Sequence, residues 1–284
     1  MGNTCYFNAI LQILVHSVDI RESCETFVIP SAEKQLSESE SFHNEFSIII
    51  RRQWNVSNRF NAFPIRPVRI FTSLSKFNSD LFRLGRQQDA HEALLGLMMA
   101  TGPTERSCIS KLFEFQVLSV MICHGCDRIP APVMSLDNQV IIPLPNDDNI
   151  YSIGWGVQQR YSHEHIEGVR CQGCQENGQY ATRVYAVSTH PKLLLVVANR
   201  SDAFGRKINT RVMLDQTLRF GLRSYRLIGV VHHHGNSVTS GHYTADFYHH
   251  EDKAWYTADD SIVRKKEKSL VVSRTAYIFL YELI

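Results

Sequence analysis

Residues 5–17 contain no Gly or Pro, and their apolar positions Phe7, Ile10, Leu11, Leu14 and Val15 recur with the i, i+3, i+4, i+7 spacing of a helix. The stretch predicts a buried helix with Thr4 or Asn3 as its N-cap. A second helix is predicted over about 87–99, with Ala90, Leu94, Leu97 and Met98 as its apolar stripe. Between them, the Ser- and Glu-rich residues 31–41 read as a solvated loop or helix end, so the first 110 or so residues read as mainly helical. The pattern then changes. Residues 113–122, 140–144, 180–187, 193–198, 225–232, 242–248, 255–257 and 277–281 are short, β-branched or aromatic runs separated by Gly, Pro, Asn or Asp, the profile of antiparallel strands. No alternating strand–helix rhythm and no internal repeat is present. A helical portion followed by a strand-rich portion predicts an α+β layout. No Pro/Gly/Ser-rich linker divides the two, so residues 1–284 are expected to form one composite domain.

Composition narrows the class. The chain has 284 residues, 30 Lys+Arg against 28 Asp+Glu for a net charge of +2, 44% hydrophobic residues and 20% charged ones. That balance excludes a largely disordered chain, a fibre and a strongly basic nucleic-acid binder. The longest clean apolar run, Leu193 to Ala198, is strand-length, so no membrane span is expected. Residues 1–12 are too polar for a secretory signal, and a myristoylation reading of Met1-Gly2 fails because Tyr6 stands where Ser or Thr is required. Seven cysteines lie at 5, 24, 108, 123, 126, 171 and 174. An odd count in a large chain argues against a disulfide framework and for reduced thiols in the cytoplasm or nucleus.

Two matched pairs, Cys123-His124-Gly125-Cys126 and Cys171-Gln172-Gly173-Cys174, stand out among these cysteines. Together they supply the four thiolates of a closed tetrahedral zinc site, which is structural because no position is left for water. The 44 residues between the pairs place each on a different hairpin, tied by the metal. Cys5 falls in the first turn of the first helix, where the helix dipole favours thiolate. A lone helical cysteine is ordinarily a small packing residue, and Cys24 and Cys108 are read that way. A nucleophilic Cys5 needs an imidazole and a group to orient it. Ser240-Gly241-His242-Tyr243 and, on the next strand, Asp259 and Asp260 offer both. The runs His232-His233-His234 and His163-Glu164-His165 are read as packing or solvated residues rather than metal ligands.

Several motifs carry a family resemblance. Gly2-Asn3-Thr4-Cys5-Tyr6-Phe7-Asn8-Ala9-Ile10-Leu11-Gln12 resembles the cysteine box of the ubiquitin-specific protease family, and Gln87-Gln88-Asp89-Ala90-His91-Glu92 resembles its second box. The paired cysteines resemble its zinc-bearing fingers. Tyr225-Arg226-Leu227-Ile228-Gly229-Val230-Val231-His232, then Ser240-Gly241-His242-Tyr243 and Trp255-Tyr256-Thr257-Ala258-Asp259-Asp260-Ser261, resemble its histidine box. The boxes arrive in the family's order and span residues 2 to about 282.

The resemblance implies a papain-like cysteine protease fold with a helical thumb (1–112), a β-rich palm (113–284) and zinc-bearing β fingers at about 116–190. It implies a deubiquitinating thiol isopeptidase acting on ubiquitin and ubiquitinated proteins. Cys5 would be the nucleophile, His242 the general base and then acid, and Asp259 the group orienting the imidazole, with Asp260 able to share that role. Asp89 and Glu92 would contact the basic tail of ubiquitin, and Cys123, Cys126, Cys171 and Cys174 would hold structural zinc.

Three departures accompany the resemblance. Val196-Val197-Ala198-Asn199-Arg200 replaces a Leu-Lys-Arg-Phe-like strand, and Ala93 stands where an aromatic is usual; both read as packing changes. The family's oxyanion Asn stands five positions before the nucleophile, which here would be residue zero, and Asn3 is the nearby side chain that would compensate. That departure supports an alternative expectation, a weak or inactive ubiquitin-binding scaffold. A nucleic-acid role is not expected, since few basic residues lie near the cysteine pairs.

Overall fold

A computed structural model describes residues 3–25, 37–54, 67–83, 85–101, 109–126, 129–171, 173–267 and 271–284. The first helix, α1 (Cys5–Val15), is apolar almost all round, and every one of its residues except Asn8 and Gln12 is buried. Such a helix belongs inside a core rather than on a surface. Thr4 occupies its N-cap without a side-chain bond, while the Thr4 carbonyl accepts the Asn8 amide at 3.0 Å. Around α1 stand α2 (Val18–Glu25), α3 (Glu38–Trp54), α4 (Val68–Phe77) and α5 (Ala90–Ala100). Residues 38–41 open α3; residues 31–36 of the expected loop, and Cys108, lie outside the described residues.

Helix α5 begins at Ala90, three residues later than the apolar pattern suggests. Asp89 is the reason: it is extended at φ −74° and ψ 133°, and its carboxylate accepts the amides of His91 at 2.8 Å and Glu92 at 3.2 Å. A side-chain cap of this kind satisfies amides that the first turn leaves unpaired.

The remaining elements are β1 (Phe115–Cys123), β2 (Val133–Asp137), β3 (Val140–Pro143), β4 (Ile150–Ser152), α6 (Ile153–Arg160), β5 (Glu164–Val169), β6 (Gln179–Thr189) and β7 (Leu193–Asn199). They continue as β8 (Arg211–Met213), β9 (Thr217–Phe220), β10 (Arg223–His234), β11 (His242–His249), β12 (Ala254–Asp259), β13 (Ile262–Lys265), β14 (Val272–Ser273) and β15 (Ala276–Leu283). The main sheet runs β13-β12-β11-β10-β15-β7-β3, with β9 also on β10. A separate four-stranded sheet runs β2-β1-β6-β5, and a small one runs β14-β8-β4. The layout is α+β. Pairing is antiparallel as expected except at β3–β7 and β4–β8, which are parallel.

Strand β7 explains the longest apolar run in the chain. Leu193, Leu195 and Val197 face the helical layer, while Leu194, Val196 and Ala198 face a second core under α6 and the small sheet. With both faces covered, alternation of apolar and polar residues is lost. Helix α1 packs across β10 and β11. The approach is closest at Gly229, where a Cβ would stand 2.8 Å from Ile13.

Candidate active site

Helix α1, with Cys5 buried at its amino end, packs against β11 and β12 of the main sheet. The first residue of β11 is His242. Its Nε2 lies 2.6 Å from Asp259 Oδ1 at the end of β12, and both side chains are about half exposed. With Nε2–H donating to the carboxylate, the ring's lone pair resides on Nδ1, the nitrogen left to receive a proton. Asp260, in the left-handed region at φ 49°, keeps a carboxylate oxygen within 4.8 Å of this pair and accepts Asn8 Nδ2 at 2.7 Å. That bond ties the first turn of α1 to the β12–β13 turn. Cys5 and His242 thus sit on packed elements, with no hydrogen bond between them; sites of this kind commonly tighten only when substrate is bound.

The strands bearing the site are braced from outside. Gln87 Nε2 donates to the carbonyl of Gly241, immediately before His242. Tyr243, immediately after it, stacks on His233 with ring centroids 4.5 Å apart. Asp89, besides capping α5, accepts the hydroxyl of Tyr277 at 3.1 Å and that of Tyr243 at 3.4 Å. Asp89 is half-buried and Glu92 is exposed. Asn3, itself at φ 58°, directs its side-chain amide to the carbonyl of Gly85 at 2.9 Å rather than toward Cys5.

A second histidine–carboxylate pair lies deeper in the sheet. His232 Nε2 is 3.0 Å from Asp246 Oδ2, and both residues are buried. Burial alone would raise Asp246, but bonds from His232, Lys266 and Thr257 overcome it and hold the carboxyl at about 2. His232, His233 and His234 belong to no metal-ligating group among the described residues, and neither do His163 and His165, whose rings meet edge to face at 5.1 Å. His232 and His233 are buried packing residues, whereas His163 and His165 are exposed.

The four paired cysteines converge. Cys123 closes β1 and Cys126 lies in the turn that follows it, while Cys171 and Cys174 lie between β5 and β6; the β1–β6 pairing, with Cys123 opposite Ala181, unites the two turns. Their sulfurs all lie within 4.8 Å of one another, with Cys126 and Cys171 3.7 Å apart. A zinc ion bonded at about 2.3 Å to each of four sulfurs needs them about 3.8 Å apart, so the set fits. The amide of Gly125 points at Cys123 Sγ at 3.3 Å and that of Gly173 at Cys171 Sγ at 3.2 Å. Backbone amides of Cys174 and Gly173 hold the Cys171 thiol down, while burial and the neighbouring sulfurs push Cys123 and Cys174 up, so the fit to a metal rests on the sulfur geometry. The four cysteines could thus hold a metal ion. Residue 172 lies outside the described residues.

The two departures within the fold are accommodated differently. Ala93 is fully buried on α5, so a small side chain fills its place in the helical core. Arg200 is also buried, and it donates to the carbonyls of Ala276 at 2.7 Å, Thr210 at 3.0 Å and Ile208 at 3.1 Å. It staples three chain segments without a carboxylate. Asn8, Gln87, Asp89 as a tyrosine anchor and Lys207 are the site supports that motif reading passed over. Asn8, polar on a mostly buried helix, and Gln87 and Asp89, within the second box, carry a signal in the sequence; Lys207 carries none.

Comparison with known proteins gives the frame. The family model described as "Ubiquitin carboxyl-terminal hydrolase" matches residues 1–281. Ubiquitin carboxyl-terminal hydrolase 36 of Drosophila grimshawi is 27% identical over 315 residues, which takes in 100% of this chain and 25% of that protein. The Drosophila mojavensis protein of the same name is also 27% identical, covering 100% of this chain and 26% of its own length. The chain therefore spans about a quarter of these curated relatives. Among solved structures, the SAGA DUB module Ubp8/Sgf11/Sus1/Sgf73 bound to monoubiquitin superposes with a TM-score of 0.81 at 20% identity, covering 100% of this chain and 68% of the matched one. A yeast SAGA DUB module gives a TM-score of 0.76 at 18% identity, with 100% and 67% covered. The expected papain-like α+β fold is the fold of this chain.

Proposed function

Since this chain belongs to the ubiquitin carboxyl-terminal hydrolase family, we infer that it is a deubiquitinating thiol isopeptidase using Cys5, His242 and Asp259. The observation that carries the reading is the 2.6 Å bond from His242 to Asp259 on strands packed against the helix bearing Cys5. In this mechanism His242 Nδ1 takes the thiol proton and Cys5 Sγ attacks the carbonyl carbon of ubiquitin's C-terminal glycine. The tetrahedral adduct collapses as the imidazolium gives its proton to the departing lysine amine, leaving a thioester on Cys5. Water, deprotonated by the same imidazole, attacks the thioester and releases the carboxylate and the thiol. Asp259 keeps Nε2 protonated and the ring oriented throughout.

Asp89, half-buried and bonded by Tyr243 and Tyr277, and the exposed Glu92 are the carboxylates suited to a basic ubiquitin tail. The four clustered cysteines are read as a zinc site; the ion there would join two hairpin turns and take no part in hydrolysis. Reduced thiols at these positions suit the cytoplasm or nucleus.

Hydrolysis of a ubiquitin–fluorophore conjugate tests the reading. Wild-type protein should release the fluorophore and react with a ubiquitin vinyl-type probe, and Cys5→Ala should do neither. A variant as active as wild type would remove Cys5 as the nucleophile. Ubiquitin binding by a wild-type protein that neither cleaves the conjugate nor takes up the probe would favour the scaffold reading instead.

A further inference from the structure

We propose that Lys207 is a positioning residue for the catalytic imidazole, clamping the neck of the hairpin that presents His242. This inference rests on the reading of His242 as the catalytic base.

The neck is where β10 and β11 meet the 235–241 loop. His234 pairs with His242 as the last rung of the ladder. Beyond it the two chains close tightly: Gly235 is left-handed at φ 115°, and a Cβ on Gly241 would lie 2.0 Å from the His234 carbonyl. Only glycine fits there, so the backbone on both sides of the neck is determined by packing rather than by side chains. Glycine is also the residue with most freedom to lose, and such a neck needs outside restraint to hold one geometry.

Two donors from elsewhere in the fold supply it. On the β11 side, Gln87 Nε2 donates to the Gly241 carbonyl. On the β10 side, Lys207 Nζ donates to His233 O at 2.9 Å and to Gly235 O at 2.7 Å. These carbonyls belong to residues two apart, which face the same side of a strand, and an ammonium with three donors on a long stem can bridge them.

Lys207 is itself held in place for this task. Ser201 and Lys207 form an isolated antiparallel bridge across a turn in which Asp202 accepts the amides of Phe204 at 2.9 Å and Arg206 at 2.8 Å. The Asp202 carboxylate is further taken by Arg206 Nε at 2.7 Å. Lys207 Nζ thus spends its charge on two main-chain carbonyls. A lysine serving only solubility would point into water, whereas burial lowers the pKa of this one. Breaking the clamp frees a glycine hinge one loop away from the imidazole, and small misplacements of a catalytic group cost far more in rate than in substrate binding.

The test compares Lys207→Met, which keeps the stem and removes the donors, with Lys207→Arg, which restores them. On a ubiquitin–fluorophore conjugate, Lys207→Met should lower kcat by about 10- to 100-fold with KM within about twofold, and Lys207→Arg should regain most of the loss. Amide hydrogen exchange across residues 233–243 reads the clamp without substrate; Lys207→Met should accelerate it about tenfold or more while exchange in α1 and β7 stays unchanged. If Lys207→Met exchanges globally, Lys207→Gln takes its place under the same criteria. Unchanged kcat, or neck exchange equal to wild type, would overturn the proposal. A wild-type protein without hydrolysis would overturn the deubiquitinase reading instead, and the exchange measurement would then decide the clamp by itself.

Discussion

Two histidines of this chain sit against carboxylates, and their surroundings assign them different work. His232 and Asp246 are buried, and Asp246 also receives Lys266 and Thr257, so both of its oxygens are engaged in holding the sheet. His242 and Asp259 are half exposed at the sheet margin, with one ring nitrogen left over. The motif puts Asp259 on the imidazole with Asp260 able to share the role; in the structure Asp259 bonds the imidazole and the neighbouring Asp260 bonds Asn8. Asp259→Asn should therefore lower kcat by about 10² or more, because an amide can reverse the tautomer that leaves Nδ1 basic. Asp260→Asn should cost less, since an amide oxygen still accepts from Asn8. Steady-state kinetics on both variants checks this, and equal losses would contradict the assignment.

At the scale of elements, the four cysteines act on strands rather than on chemistry. Each pair ends a different hairpin, and the β1–β6 ladder brings the turns together. One metal equivalent per chain should be found by elemental analysis. Its removal by a chelator, or Cys171→Ser, should speed amide exchange in β1, β5 and β6 by about tenfold or more while β7 and β15 keep their protection. Uniform loss of protection would mean that the turns carry the whole core. The cysteine spacing was readable from the chain, because thiolate chemistry is local. Strands such as β4, β8 and β14 were not, since two or three residues carry no periodicity and become strands only through partners far away. Helix α5 shows the opposite error: the apolar stripe was right, but the Asp89 cap placed the start later.

Across the whole molecule, burial disfavours the charged form of several histidines, most strongly His16, His43 and His233. His16, stacked on Phe247 at 3.8 Å, is lowered to about 3 by burial and by the charges of His249 and His250. His43 is lowered to about 4 by burial, and His233 to about 4 by burial and Lys207. Their folded pKa values lie below the unfolded value near 6.5, so the stability they confer is complete above about pH 6.5 and is lost as pH falls toward 3 to 4. Unfolding free energy should drop by about 1–2 kcal/mol per histidine between pH 7 and pH 5. Denaturant titrations at the two values check this, and His16→Phe should reduce the slope. A stability that is level or rising over that interval would show that these imidazoles stay charged in the fold.

The chain alone determined the class, the buried first helix, the strand-rich second part, the cysteine pairs and the candidates Cys5 and His242, because periodicity and reactive groups are properties of neighbouring residues. Tertiary structure alone decided that Asp260 meets Asn8, that Asp89 accepts two tyrosine hydroxyls, and that Asn8, Gln87 and Lys207 brace the site. Those pairings join residues up to 252 positions apart, and no local pattern encodes a contact whose geometry exists only after the sheet and helices have packed.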